Sequence, residues 1–166
     1  MSVRRAAVFV GYALVALLLQ TSLVPLLTGG KFTVNLLTIY VVYLGMRRQS
    51  VWGVVGAFLL GYLQDTVSGT LYGLNAFAMT LVYLAVYRTS RHVWVENTVS
   101  QVVVVGLADA LKQLATGLIL AAVWGTGALP AFMEMASVSV LATAVVSPVV
   151  FVFLERIHEF AFQEEG

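Results

Sequence analysis

Three ionisable residues lie inside long apolar runs of this chain: Asp65, Asp109 and Lys112. An ionisable group in such a run is costly to bury, so each is a candidate for function or for a specific internal partner. Asp109 and Lys112 are three positions apart near the middle of one run. That spacing puts both side chains on one helix face. Helical side chains lean toward the N-terminus, so Lys112 leans toward the turn that carries Asp109. Pairing removes most of the penalty of two lone charges. Two readings stand for the pair: an ion pair that stabilises a bundle, or a polar site for a ligand or a partner helix. Gln101 and Gln113 extend the polarity of the same run.

Asp65 stands beside Gln64 near the end of an earlier run. A carboxylate near a helix C-terminus is disfavoured by the helix dipole. Its placement therefore calls for a specific hydrogen-bond partner. Asn75, across the tight turn at Ser68-Gly69-Thr70, is a candidate. Asp65 reads as a structural clamp on that turn or as a ligand contact. Gly69 and Gly73 form a GxxxG that permits close helix packing, although Gly69 falls in the turn. Glu134 opens the last run, where the helix dipole favours an acid.

Catalytic chemistry finds little support. The chain holds no Cys, which excludes disulfides, thiolate catalysis and Cys-ligated metals. It holds no HExxH, no GxSxG and no phosphate-binding glycine loop. His92 and His158 are isolated from one another, so no metal site is expected, and no cofactor is implied. Asp65 and Asp109 are expected at different depths, the first near the outer face and the second near the middle. They would not form a close carboxylate dyad.

The elements that must position these residues follow from composition and charge. The 166-residue chain is 60% hydrophobic and 10% charged, with a mean hydropathy of +0.94. A soluble domain is roughly 25% charged. Seven of the nine basic residues, Arg4, Arg5, Arg47, Arg48, Arg88, Arg91 and Arg156, fall in alternate gaps between apolar runs. Basic loops stay on the cytoplasmic side during insertion. The pattern predicts an all-α integral membrane bundle of six transmembrane helices, with both termini in the cytoplasm. The helices are expected at about 6–27, 32–46, 51–67, 71–87, 99–124 and 132–154, in one polytopic domain over 1–166. The first run is too long for a signal core and reads as retained. The second and third are short for a bilayer, which fits shielding by neighbours or a locally thin membrane. Gly53, Gly56 and Gly61 in the third would let a partner helix approach. Residues 155–166 read as a short amphipathic helix lying on the cytoplasmic interface. The basic residues are accounted for by topology, so nucleic acid is not an expected partner.

A family likeness runs from the second segment through the fourth. Asn35-Leu36-Leu37, then Tyr40-Val41-Val42-Tyr43-Leu44 and the basic turn Arg47-Arg48, resembles the second-helix signature of the MreD family of rod-shape-determining membrane proteins. So does Gly53…Gly56…Gly61-Tyr62-Leu63-Gln64-Asp65, continuing through Ser68-Gly69 and Gly73-Leu74-Asn75-Ala76. The closing Ser147-Pro148…Leu154-Glu155-Arg156 is similar to the family's last helix. Val34 departs from the family, where many members have Pro before Asn or Asp, and this bears on where the second helix starts. The Asp109–Lys112 pair matches no motif of the family.

The resemblance implies a non-enzymatic member of the bacterial elongation machinery in the cytoplasmic (inner) membrane. Its implied partners are an MreC-like bitopic protein, a RodA-type glycosyltransferase with its class B penicillin-binding protein, MreB indirectly, and membrane lipid. The implied role is to hold or tune peptidoglycan synthases during side-wall growth. The family's layout is also similar to the substrate-binding subunits of ECF-type vitamin transporters, a fold-level analogy that carries no function by itself. A solute-binding subunit would need an outward polar cavity, with Asp65, Asn75 and Lys112 as its lining.

Overall fold

The computed structural model describes residues 3–24, 26, 29, 33–47, 51–69, 71–90, 97–127 and 129–162. Among these there are six helices and no strand. They are α1 (Val3–Leu18, continued by a π turn at Leu19–Leu23), α2 (Leu36–Arg47), α3 (Val51–Ser68), α4 (Leu74–Ser90), α5 (Thr98–Trp124) and α6 (Leu129–Phe162). The expected basic turn at 48–50, the stretch 91–96 with His92, Trp94 and Glu96, and Lys31 lie outside the described residues.

Two stretches, Thr98–Trp124 and Leu129–Ile157, are long and apolar enough to cross a membrane. The other helices are shorter. α2 has 12 residues, a rise of ~18 Å at 1.5 Å per residue. It begins at Leu36, later than the expected 32. Every residue from Leu37 to Gly45 is buried, so α2 is the central helix of the bundle. A helix that is apolar all round belongs inside, and one that never meets lipid need not match the bilayer's thickness.

α2 and α6 run parallel in a single register. Asn35 pairs with Thr143, and Arg47 pairs with Glu155 at the exposed end. Between them the rings of Tyr43 and Phe151 meet edge to face, 5.6 Å apart. Thr143 is midway along the apolar stretch Leu129–Ile157. The central helix therefore starts at mid-depth of the long one.

The small face of α3 is filled by α4. A Cβ on Gly61 would lie 2.4 Å from both the Ala76 Cα and the Asn75 carbonyl oxygen, and one on Gly53 would meet the Tyr83 ring. Gly53, Gly56 and Gly61 are all buried. The expectation that they receive a partner helix is thus corrected: the close approach they permit is used within the chain.

α6 carries Pro148 in its interior. Pro lacks the N–H that would bond the Ala144 carbonyl. The Ser147 hydroxyl takes that carbonyl instead, at 2.7 Å. α6 then continues to Phe162, because no Gly or Pro interrupts it after Leu154. The expected separate interfacial helix over 155–166 is instead the last turns of α6, as far as residue 162.

Candidate functional site

A belt of buried polar side chains joins all six helices at mid-bundle. It is built around two helix starts. The first four N–H groups of a helix have no partner within it, and a membrane interior offers no water to satisfy them. A helix that begins inside the bundle therefore needs acceptors from its neighbours.

At the start of α2 those acceptors come from α1 and α6. The Asn35 N–H donates to Thr143 Oγ1 at 3.0 Å, and the Thr33 N–H donates to Ser139 Oγ at 3.2 Å. The Leu37 N–H reaches Gln20 Oε1 at 3.4 Å. Gln20 sits in the π turn of α1. The Asn35 carbonyl receives the first helical bond, from the Ile39 N–H, so Asn35 is the N-cap residue. Its side chain is turned outward to α5, where Nδ2 donates to both carboxylate oxygens of Asp109, at 2.9 and 3.1 Å. Asp109 is fully buried. The Thr38 hydroxyl faces the same carboxylate, fully buried and without a hydrogen-bond partner of good geometry.

At the start of α4 the acceptor is Asp65 of α3. Its Oδ1 accepts the Asn75 N–H at 3.0 Å and Asn75 Nδ2 at 2.9 Å. Its Oδ2 accepts the Gly73 N–H at 2.9 Å and the Ala76 N–H at 3.2 Å. Phe77 donates the first helical bond to the Gly73 carbonyl, so Gly73 is the N-cap. Glycine offers no capping oxygen. Asp65 supplies it from the preceding helix, on the amides of the second and third helical residues where an N-cap side chain would act. The negative charge also meets the positive end of the α4 dipole.

The turn between α3 and α4 explains Gly69 and Gly73. Gly69 has φ +62° and Gly73 has φ +90°. The Gly69 N–H closes onto the Asp65 carbonyl at 3.2 Å, the left-handed ending common at helix C-termini. The Leu74 N–H bonds the Leu71 carbonyl, which puts Gly73 at the turn position that requires positive φ. A Cβ on either glycine would meet nothing within 4 Å. They shape the turn and do not form a helix-packing GxxxG.

Lys112 links the two centres. It is 3% exposed, and its ammonium donates to Gln64 Oε1 at 3.3 Å. Asp109 and Lys112 thus take separate amide partners, Asn35 and Gln64, where the sequence suggested a direct pair. Lys112 still lies in the field of both Asp109 and Asp65. The Gln64 contact sets the α3 turn that carries Asp65 beside the Lys112 turn of α5. Each carboxylate is nonetheless held by its own donors.

Sequence reasoning singled out Asp65, Asn75, Asp109 and Lys112, and the structure brings Asp65 to Asn75 and Gln64 to Lys112. It missed Gln20, Ser139 and Thr143, and saw Asn35 only as part of a family signature. The missed signal was the shortness of the second apolar segment, since a helix that starts inside a bundle needs such oxygens. Among the described residues no group of His, Asp and Glu could hold a metal ion.

The family described as rod shape-determining protein MreD matches residues 3–157. No curated protein and no solved structure matches the chain. The match spans the whole polar belt and all six helices except the last residues of α6. The chain belongs to the MreD family of rod shape-determining membrane proteins, a structural family not known for enzymes.

Proposed function

We propose that this chain is a six-crossing scaffold of the bacterial inner membrane, with both termini cytoplasmic. In this reading it pairs with an MreC-like bitopic protein and positions a RodA-type glycosyltransferase and its class B penicillin-binding protein. MreB is engaged indirectly. The observation that carries the reading is the combination of family membership with a polar belt satisfied from within. The side chains of Asp65, Asp109 and Lys112 all bond other residues of the chain, so the buried charges serve to hold helices in place. The alternation of basic gaps supports the topology, and the exposed inner ends of α2 and α6, tied by Arg47 and Glu155, fit a cytoplasmic face. With the α3 glycines occupied by α4, a partner helix would pack instead on exposed apolar faces such as those of α1, α5 and α6, which include Leu14, Leu107 and Leu141.

The same bonds argue against the solute-binding reading, since Asp65, Asn75 and Lys112 are buried and bonded to other residues of the chain. The test is mild-detergent copurification from the native host with identification by mass spectrometry. Recovery of an MreC-like protein and cell-wall synthases is expected. Recovery of ATPase subunits with a second multispanning protein would overturn the scaffold and make the chain a transporter subunit.

A further inference from the structure

The two sides of this bundle have different apolar lengths. α3 has 18 residues and α4 has 17, rises of ~27 and ~26 Å. In the α5–α6 hairpin the helical stretches Thr98–Trp124 and Leu129–Ile157 are 27 and 29 residues long, rises of ~40 and ~44 Å. Interfacial side chains follow the same division. Exposed Trp52 and Tyr72 bracket α3, while Arg156 and exposed Trp124 bracket the hairpin. Trp and Tyr prefer the headgroup level, and Arg prefers the cytoplasmic boundary.

The inner ends are aligned, as the Arg47–Glu155 pair and the bond from Ser90 Oγ to the Gly45 carbonyl require. The whole difference therefore falls on the outer side. The bond between Gln64 and Lys112 fixes the offset. α3 ends four residues beyond Gln64, whereas α5 runs twelve residues beyond Lys112. The hairpin thus overtops the α3–α4 turn by about 12 Å.

Neither flat membrane suits both sides. A bilayer that covers the hairpin would submerge the turn, where Gly69 and Tyr72 are exposed and their backbone is not helical. Irregular backbone is not tolerated facing lipid hydrocarbon. A bilayer that stops at the turn would leave Leu118, Val123 and Met133, all exposed, in water.

We infer that the chain imposes a step on the outer leaflet, thin beside α3 and α4 and thick beside α5 and α6. The occupant of the recess above the turn is lipid headgroup and water. A lipid leaflet is the interaction surface, and the chain recognises it by thickness. This inference rests on the six-crossing reading above.

The chain has no native Cys, so single cysteines can carry nitroxide labels without background. The protein would be reconstituted into vesicles of dioleoyl phosphatidylcholine and phosphatidylglycerol. Labels at Tyr72→Cys and Leu118→Cys would be read by collision with oxygen and with a polar nickel chelate. Leu118 lies ~3 Å farther out than the end of α3, yet it is expected to be drier than Tyr72. Nickel accessibility should be at least about threefold higher at Tyr72, as for a headgroup against a hydrocarbon position. Hydrocarbon values at Tyr72 would mean a submerged turn, and water values at Leu118 a projecting hairpin. Either result overturns the step. Thr89→Cys, at the inner end of α4, tests the topology separately. In intact cells it should resist an impermeant maleimide and react only after permeabilisation. Reaction in intact cells would refute the topology, whatever the depth readings.

Discussion

Asp65 and Asp109 are both fully buried carboxylates, and each stands against the start of a helix inside the bundle. They are held differently. Asp65 receives three backbone N–H groups and one side-chain amide, all from the turn that opens α4. Asp109 receives the side-chain amide of Asn35, and the backbone at the start of α2 is satisfied by Thr143, Ser139 and Gln20 instead. The difference comes from the cap residues. Gly73 brings no oxygen, so α4 depends on a carboxylate from elsewhere. Asn35 is free to spend its side chain on α5, because Gln20 Oε1 of α1 accepts the Leu37 N–H, the second helical amide that an N-cap side chain would take. Asp65 is therefore bound to the backbone of the fold, whereas Asp109 is held by side chains, the Asn35 amide with the Thr38 and Thr143 hydroxyls beside it.

The largest effect is expected at Asp65. Asp65→Leu leaves three buried backbone N–H groups without an acceptor, at about 1–3 kcal/mol each. Membrane yield should fall severely, and copurification with the partner should be lost. Normal copurification and normal rod shape would break the contrast with Asp109. Gly61→Val comes next, because its side chain meets the backbone of Ala76 and Asn75 rather than a movable side-chain tip. Separation of α3 from α4 should cost about 2–3 kcal/mol, read as a lowered Tm in detergent. An unchanged Tm would mean that the helices approach less closely than this.

A smaller effect separates the charges of α5. Lys112→Ala removes the cation that lies near both buried carboxylates, and an uncompensated charge is worse than none. It should lower membrane yield more than Asp109→Asn with Lys112→Gln together. Equal yields would show that the charges of α5 do not depend on each other. The smallest effect is expected at Thr38. Its hydroxyl is buried without a partner, so Thr38→Val should change stability by no more than about 0.5 kcal/mol, or raise it. A clear loss would show that the hydroxyl is bonded in the folded protein.

Much of this was legible in the sequence. The apolar runs with charged gaps placed the helices to within a few residues, except at the start of α2 and in the tail. Asp65 stood out because a carboxylate sits poorly at a helix C-terminus, and its dependence on the next turn followed. Gln20, Ser139 and Thr143 did not stand out, since isolated hydroxyls and amides in apolar runs are common and their partners lie up to 108 positions away. The offset between the outer ends of α3 and α5 was also hidden. It is set by packing between distant helices. The α3 glycines were read correctly as a close-packing face, but periodicity does not tell an internal neighbour from an external one.

The central claim is that the polar belt holds helices in place and takes no direct part in shape determination. The most direct test is Asp109→Asn with Lys112→Gln, which roughly keeps the size of both side chains, leaves one acceptor oxygen at 109 for Asn35 Nδ2 and a donor at 112, and removes both charges. The variant would replace the native chain in its host, with Tm measured on the purified protein and cell shape scored by microscopy. The account predicts a Tm close to the native value and rod-shaped cells. A normal Tm with rounded cells would contradict it, because the charges would then act on something other than the fold.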